Sequence, residues 1–176
     1  NIYVKEMNFK MNIILHEPEI PQNTGNIGRT CVATGTSLHL IEPLGFKIDD
    51  KSLKRAGMDY WKDLDVHYYT NFQDFLNKNP NANIYMATTK ALNTYSDIKF
   101  KDDDFIMFGS EGSGIPEEIL LHYKDNSIRI PMLEQYRSLN LSNSVAIVLY
   151  EALRQNSFKG CQMEGHLHRH SWSEAE

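Results

Sequence analysis

Short, largely apolar runs alternate with helical patterns along most of this chain. Two of these runs, Asn12–His16 and Phe105–Phe108, lack the regular polar alternation of a half-exposed strand. Such runs are typical of strands buried on both faces, so they predict an α/β fold with a mainly parallel sheet flanked by helices. The predicted strands cover residues 12–16, 38–41, 66–70, 84–88, 105–108 and 127–130.

Helices are predicted between the strands from periodicity and capping residues. Pro21 and Gly35 bracket the first one, because proline suits the first turn of a helix and glycine suits its C-terminal end. Ser142 or Asn143 can cap the last one by accepting from free N–H groups of the first turn. The predicted helices cover residues 22–36, 49–56, 72–77, 116–122 and 141–156.

The last predicted helix is apolar on more than one face. A helix at the surface of a monomer would keep a polar half. We therefore expect this helix to pack against its own sheet and against a second copy of the chain, in a homodimer with Tyr150 near the interface. Its large apolar residues are Val145, Ile147, Val148, Leu149, Tyr150 and Leu153.

Composition and length place the chain among ordinary globular proteins. The 176 residues fit one domain with a full hydrophobic core. No apolar run approaches the roughly 20 residues that span a bilayer, and no secretory signal pattern is visible, which predicts a cytoplasmic protein without a membrane partner. Two cysteines are too few for a disulfide framework. The net charge of −5 argues against non-specific nucleic-acid binding but leaves room for a local basic patch.

The two ends of the chain differ from its body. Met11 opens the first predicted strand, and residues 165–170 resemble a degraded affinity tag. The histidines of that stretch have a spacing that could hold a metal, but the tail interpretation is favoured and no metal is predicted. We expect a single domain over 11–160, with 1–10 and 161–176 as non-native or disordered tails.

Three loops follow predicted strands and are expected to share one edge of the sheet, where ligands bind in parallel α/β folds. They cover residues 87–90, 109–114 and 131–143. The glycine-rich loop allows close backbone approach and positive φ, but it lacks the Lys-Ser/Thr of a phosphate-binding P-loop. On its own it predicts a turn as readily as a site. Glu111 between glycines, ahead of Pro116, favours the site.

A second group of polar residues lies in the first predicted helix. Asn23 and Arg29 are six residues apart, so they need not share one helical face. Gly25 and Gly28 between them would let a bulky ligand approach. A capped helix with a surface arginine explains the same residues, and both interpretations stay open here.

Basic residues are gathered in one stretch that could contact phosphates or could form an ordinary solvated face. Arg137 and Arg154 are further candidates for contacts with RNA. The basic stretch contains Lys47, Lys51, Lys54, Arg55 and Lys62.

Three segments resemble, in order, the motifs of the SPOUT-class RNA 2′-O-methyltransferases: NTGNIGRT, FGSEGSGIP and IPMLEQYRSLNLSNSVAIVLYEALRQ. The longer opening NIILHEPEIPQNTGNIGRTCVATG, with LHLIEPLGF and RAGMDYW, resembles the branch of that class that methylates the wobble nucleotide of tRNA. The similarity covers residues 11–160, nearly the whole expected domain, without a break in the motifs.

The resemblance implies a fold with a C-terminal trefoil knot, a homodimer, and S-adenosylmethionine as the cofactor. It implies transfer of a methyl group from that cofactor to the ribose 2′-OH of the wobble cytidine or uridine in the tRNA anticodon loop. Cofactor contacts implied by position are Ala87, Gly109, Ile130 and Ser138, with Gly114, Leu139 and Asn140 as neighbours.

The same resemblance implies catalytic roles for Arg29, Asn23, Glu111 and Asn140. Family accounts make the arginine that matches Arg29 the base, but a guanidinium stays protonated, with a pKa above about 12. We therefore favour Arg29 as the group that holds phosphate and stabilises developing negative charge, and a base role in the closed complex stays open. Asn23 would orient Arg29 or the ribose, and Glu111 would organise its loop. Ser138 and Asn140 would meet the cofactor or the ribose.

Two other hypotheses belong to different classes. A non-catalytic RNA-binding domain of the same fold would not need the intact set of Asn23, Arg29, Glu111 and Asn140. A nucleotide-dependent enzyme of another α/β type is disfavoured, because neither a P-loop nor a dinucleotide-binding fingerprint is present. Methyl transfer would separate the first alternative from an enzyme, and nucleotide-binding calorimetry would test the second.

Overall fold

The computed structural model describes residues 9–49 and 59–175. Seven strands in these ranges form one sheet in which every neighbouring pair is parallel, in the order β3-β2-β1-β6-β4-β7-β5. The predicted parallel α/β sheet is confirmed, and β5 is a strand that was not predicted. The strands are β1 Asn12–His16, β2 Ser37–Ile41, β3 Val66–Tyr69, β4 Ile84–Ala87, β5 Asn93–Thr94, β6 Phe105–Phe108 and β7 Ser127–Arg129.

Four α-helices lie in the described ranges, each close to a predicted one. The predicted helix over 49–56 falls outside the described residues, apart from Asp49. None of the described helices is long and apolar enough to cross a membrane. The helices are α1 Pro21–Thr34, α2 Phe72–Lys78, α3 Glu117–Leu120 and α4 Leu141–Gln155, and short 3₁₀ turns cover Asp59–Asp63, Tyr95–Asp97, Lys124–Asn126 and Trp172–Glu174.

The helices cover both faces of the sheet because successive strand residues point to opposite sides. On β1, Ile13 and Leu15 belong to a core that includes Val148 of α4, whereas Ile14 between them belongs to a second core with Phe75 of α2. All five residues are fully buried. Burying one aliphatic side chain of this size stabilises a fold by about 1.5–3 kcal/mol. The two cores therefore hold β1 and its neighbouring strands in place.

The residue that caps α4 is Asn140, and the prediction of Ser142 or Asn143 was wrong. The helix begins at Leu141 as predicted, so Ser142 and Asn143 lie in its first turn and supply the free N–H groups. Asn140 Oδ1 accepts from Ser142 N at 2.9 Å and from Asn143 N at 3.3 Å. This cap also fixes the orientation of the Asn140 amide.

One face of α4 is buried against its own chain, as predicted. Val145, Val148 and Leu149 are fully buried, whereas Ile147 is 37% exposed and Tyr150 is 47% exposed. The second apolar face is therefore open in a single copy of the chain, and the homodimer stays a prediction.

The first two described residues, Phe9 and Lys10, contact the folded domain. Phe9 is buried in the core that α1 and α4 share, and the backbone N–H of Lys10 donates to Asp102 Oδ1 at 2.7 Å. These two residues therefore pack with the domain that was expected to begin at Met11.

Candidate active site

A cavity of about 450 Å³ opens at the carboxyl ends of β4, β6 and β7. The three predicted loops all contribute to its wall, since the carboxyl ends of parallel strands meet at one edge of the sheet. The start of α1 contributes Ile20 and Asn23, and the first turns of α4 contribute Ser144 and Val148.

The structure places every residue that was assigned to the cofactor on the wall of this cavity. Sequence reasoning missed Ser144, which lies one helical turn after Asn140 and so faces the same side of α4. It also missed Thr88, Thr89 and Lys90 as wall residues, although it had identified their loop. The assigned wall residues are Ala87, Gly109, Gly114, Ile130, Ser138, Leu139 and Asn140.

The glycine-rich loop folds tightly upon itself. A Cβ atom at Gly109 would lie 2.0 Å from the carbonyl carbon of Gly114 and 2.2 Å from the nitrogen of Ile115. Gly114 has φ of 70°, a left-handed conformation that glycine adopts without strain. Gly109 is therefore required by the backbone of its own loop, and any side chain there would disrupt the loop before it met a ligand.

Glu111 ties this loop to the start of α1. Its Oε2 accepts from Glu19 N at 2.8 Å, and its Oε1 accepts from Ile20 N at 3.0 Å and from Asn23 Nδ2 at 3.2 Å. Burial acts to raise the pKa of the Glu111 carboxyl, but the hydrogen bonds from Glu19, Asn23 and Ile20 together hold it below its ordinary value. The N-cap residue Ile20 makes no side-chain capping hydrogen bond, and the Glu111 carboxylate accepts from the backbone N–H groups of Glu19 and Ile20 just ahead of the helix.

Asn23 extends the contact from α1 to α4. It is 6% exposed, and its Oδ1 accepts from Asn140 Nδ2 at 3.1 Å. The direction of both amides is determined, because Asn23 must donate to a carboxylate and Asn140 must accept from helical N–H groups. These hydrogen bonds link Glu111 to Asn23 and Asn23 to Asn140 in a chain that we call the polar relay. The polar relay joins the three motif segments at one side of the cavity.

The segment before α1 is held between two glycines. A Cβ at Gly45 would lie 2.7 Å from the Cα of Glu19, and one at Gly112 would lie 3.1 Å from the Glu19 carboxylate. Gly45 N also donates to Pro18 O at 2.9 Å. This packing fixes the backbone N–H groups that Glu111 accepts from.

Arg29 lies outside the cavity wall. Its side chain is exposed on α1, and it forms no hydrogen bond or ion pair within 9–49 or 59–175. The Tyr60 hydroxyl donates to the carbonyl of Gly25, one helical turn before Arg29. Burial raises the pKa of Tyr60, and the positive charge of Arg29 opposes part of that rise, so the two side chains are neighbours. Asn23 contacts Glu111 and Asn140 rather than Arg29.

The glycines of α1 make room for the chain itself. A Cβ at Gly28 would lie 2.9 Å from Cζ3 of Trp61 and 3.3 Å from Leu64. At Gly28 the expectation that a bulky ligand can approach was wrong, because Trp61 of the turn at 59–63 already fills the space beside it.

The other charged candidates have different surroundings. Arg137 is exposed and precedes Ser138 of the cavity wall, whereas Arg154 is held by Glu151 at 2.8 Å. Lys90, on the cavity wall, pairs with Glu117 at 2.9 Å. Lys47 and Lys62 are exposed, and Lys51, Lys54 and Arg55 lie outside the described residues. In the described ranges no group of three or more His, Cys, Asp or Glu residues could hold a metal ion.

A parallel sheet with a glycine-rich loop and a polar relay around one cavity at its carboxyl edge defines a ligand-binding α/β protein. The model of the SpoU rRNA methylase family matches residues 10–150, and the chain belongs to that family. This confirms the resemblance to RNA methyltransferases that the motifs carried.

Individual relatives are more specific. The tRNA (cytidine(34)-2′-O)-methyltransferase of Saccharophagus degradans is 46% identical over 150 residues, which cover 85% of this chain and 97% of the relative. A structure solved to study 2-OH methylation of C/U34 on tRNA superposes with a TM-score of 0.80 at 39% identity, over 85% of this chain and 97% of that one. An AdoMet-bound rRNA methyltransferase from Sinorhizobium meliloti gives a TM-score of 0.72 at 26% identity, over 84% and 57%.

Proposed function

We propose that this protein transfers a methyl group from S-adenosylmethionine to the ribose 2′-OH of the wobble nucleotide, cytidine or uridine, in the anticodon loop of a tRNA. The observation that carries the proposal is the relay of Glu111, Asn23 and Asn140, which brings the three family motifs together beside one cavity. The substrate is inferred from the names of two relatives, each of which is matched over 97% of its length.

The cavity fits S-adenosylmethionine. Its volume lies within the range of about 300–1,000 Å³ that is usual for small-molecule sites. Ile128, Ile130 and Val148 give it apolar walls suited to an adenine ring, and the loop backbones give it donors and acceptors for the polar ends. Because Glu111 already accepts from three donors, the cationic sulfonium is expected to lie against backbone carbonyls rather than against this carboxylate.

S-adenosylmethionine supplies an activated methyl group when bound, and the protein supplies position and charge. Asn140 and Ser138 lie on the cavity wall where they can meet the cofactor or the ribose. Arg29 holds a substrate phosphate and stabilises the negative charge that develops as the 2′-hydroxyl loses its proton. In one copy Arg29 lies outside the cavity, so this role requires the substrate, or a second copy of the chain, to bring ribose and guanidinium together.

We further infer the features that accompany this activity. The open apolar face of α4, with Ile147 and Tyr150, supports a homodimer. The match to the SpoU methylase family over residues 10–150 supports a knotted C-terminal half. A tRNA substrate supports a cytoplasmic location, and neither a membrane nor a metal has a role in the proposed reaction.

The position of Arg29 outside the cavity is the one observation that favours the alternative, a non-catalytic RNA-binding domain of the same fold. Methyl transfer decides between the two functions. The wild-type protein should methylate a tRNA transcript in the presence of S-adenosylmethionine, with the product mapped to the wobble 2′-oxygen by mass spectrometry of nuclease fragments. Binding of the tRNA without methylation at any position would support the alternative.

Arg29 is tested in the same single-turnover assay. Arg29→Ala should slow methyl transfer by about 10²–10³, the typical effect of removing one charge-stabilising donor, with cofactor affinity preserved. Arg29→Lys should restore part of the rate, because it keeps the charge but loses the planar two-pronged contact with phosphate. Arg169→Ala, at an exposed arginine near the chain end, is the matched control. Near-wild-type turnover in Arg29→Ala would remove this residue from the mechanism.

A further inference from the structure

The loop before α4, part of which lines the cavity, exposes large apolar side chains to solvent. Leu133 is 67% exposed, Tyr136 is 66% exposed and Leu139 is 40% exposed, all within seven residues. Single exposed apolar residues are normal on protein surfaces. Three of them in one loop, with Met132, Ser138 and Leu139 of the same loop on the cavity wall, mark a place where a partner approaches the site.

Hydrogen bonds fix the shape of this loop at two points. Tyr136 N donates to Leu133 O at 3.1 Å, which forms a turn at its tip. At its end, Asn140 is held by the cap of α4 and by Asn23. Tyr136 is therefore displayed outward by the fold, and its hydroxyl has no hydrogen-bond partner in the described part of the chain.

The chemistry of the tip suits a nucleobase. Arg137 follows Tyr136, is exposed, and forms no ion pair with the residues that the structure describes. Lys90, by contrast, is already paired with Glu117 at the same cavity. Unpaired bases of RNA loops stack on tyrosine rings and guanidinium planes, and a free cation beside the ring attracts the backbone phosphates.

A second copy of the chain is the competing occupant. The apolar face that we assign to the dimer lies on α4 and carries Ile147 and Tyr150. The loop tip instead combines an exposed aromatic ring with an arginine that forms no ion pair with the described residues, and the same loop contributes Ser138 and Leu139 to the cavity wall. These features favour RNA over a protein partner.

We propose that Tyr136 is a stacking platform for a nucleobase next to the target nucleotide, with Arg137 contacting the adjacent phosphate. The proposal rests on the proposed function, because it takes the anticodon loop as the substrate. It adds an RNA-binding role for two residues of this loop that differ from Ser138, Leu139 and Asn140, the positions assigned to the cofactor or to catalysis.

The test measures binding of an anticodon stem-loop RNA by fluorescence anisotropy, with S-adenosylhomocysteine present. Tyr136→Ala should weaken RNA binding by about 5- to 150-fold, since one base–aromatic stack contributes about 1–3 kcal/mol. Tyr136→Phe keeps the ring and should bind like the wild type. Trp172→Ala is the matched control, because Trp172 is also aromatic and 66% exposed but lies near the chain end. Cofactor affinity should be the same in all variants.

Abasic RNAs identify the stacked base. An abasic nucleotide at the stacked position should weaken binding to the wild type and abolish the difference between wild type and Tyr136→Ala. The proposal is overturned if Tyr136→Ala binds like the wild type, if no abasic position removes the difference, or if sedimentation shows that the variant has only lost its dimer. A wild-type protein that binds this RNA without methylating it would count against the proposed function and would leave the stacking result intact.

Discussion

At the residue scale, Glu111 acts through position rather than as a proton acceptor. Both of its oxygens accept hydrogen bonds, and its pKa lies below the ordinary value of 4.5. A general base works best with a pKa near the working pH, and a catalytic carboxylate has its pKa raised toward that range. Glu111 therefore stays ionised and holds the start of α1 against the glycine-rich loop.

Glu111→Gln should destabilise the protein by about 1–2 kcal/mol, because one carboxylate oxygen becomes an NH₂ group facing a backbone donor. Urea unfolding at neutral pH measures the change. Glu118→Gln is the control, since Glu118 is exposed and has no hydrogen bond in the described part of the chain. Equal stability of Glu111→Gln and the wild type would show that the carboxylate contributes nothing to the fold.

The pH dependence follows from the same shift. The pKa of Glu111 is lower in the folded chain than in the unfolded one, so its carboxylate stabilises the fold above the unfolded pKa. That contribution is lost as the pH falls through the folded pKa. The stability difference between wild type and Glu111→Gln should therefore be largest at neutral pH and should shrink in acid below pH 4.5. A difference that grows in acid would contradict the assignment.

At the element scale, α1 is shaped by what packs on it. Gly28 within this helix costs helix propensity, yet its missing side chain leaves room for the indole of Trp61. The aromatic turn at 59–63 also places the Tyr60 hydroxyl on the Gly25 carbonyl, beside Arg29. The glycines of the NTGNIGRT segment thus position the turn that neighbours the proposed catalytic arginine.

Gly28→Ala sets two effects against each other. Helix propensity favours alanine by about 1 kcal/mol, but the new Cβ would lie 2.9 Å from the Trp61 ring. Overpacking typically costs about 1–3 kcal/mol, so we expect net destabilisation in thermal or urea unfolding. Gly165→Ala is the control, because nothing lies within 4 Å of a Cβ there. A stabilised Gly28→Ala variant would mean that the turn at 59–63 can shift away from the new Cβ at little cost in free energy.

At the scale of the whole molecule, the open face of α4 is the feature that one copy leaves unexplained. Ile147 and Tyr150 are exposed on a helix whose opposite face is fully buried. Arg29, on the helix that packs against α4, is also outside its own cavity. Association of two copies through α4 would cover Ile147 and Tyr150.

Tyr150→Glu should therefore shift the protein from dimer to monomer in sedimentation velocity at micromolar concentration, because a buried unpaired carboxylate is strongly disfavoured. Leu121→Glu is the matched control, since Leu121 is 80% exposed and lies outside α4. Dimers that persist in Tyr150→Glu would place the interface elsewhere, and a monomeric wild type would exclude this assembly.

The sequence by itself determined the elements and the edge of the sheet that carries the site. Strand and helix patterns depend on side-chain spacing over a few residues, and both β1 and β6 were placed to the residue. The three loops were assigned to one cavity because parallel strands share an edge. The two-residue strand β5 was missed, since Asn93 and Thr94 are too few to show a period.

Only the tertiary structure decided which residues meet. Asn140 bonds to Asn23 across 117 positions, and Glu111 bonds to Asn23 across 88. It also decided that Gly28 faces Trp61, where the sequence had suggested a ligand, and that Gly109 packs against Gly114 within its own loop. A local sequence pattern shows that a small or polar residue is present. Its contacts with residues far away in sequence depend on how the whole chain folds around the sheet.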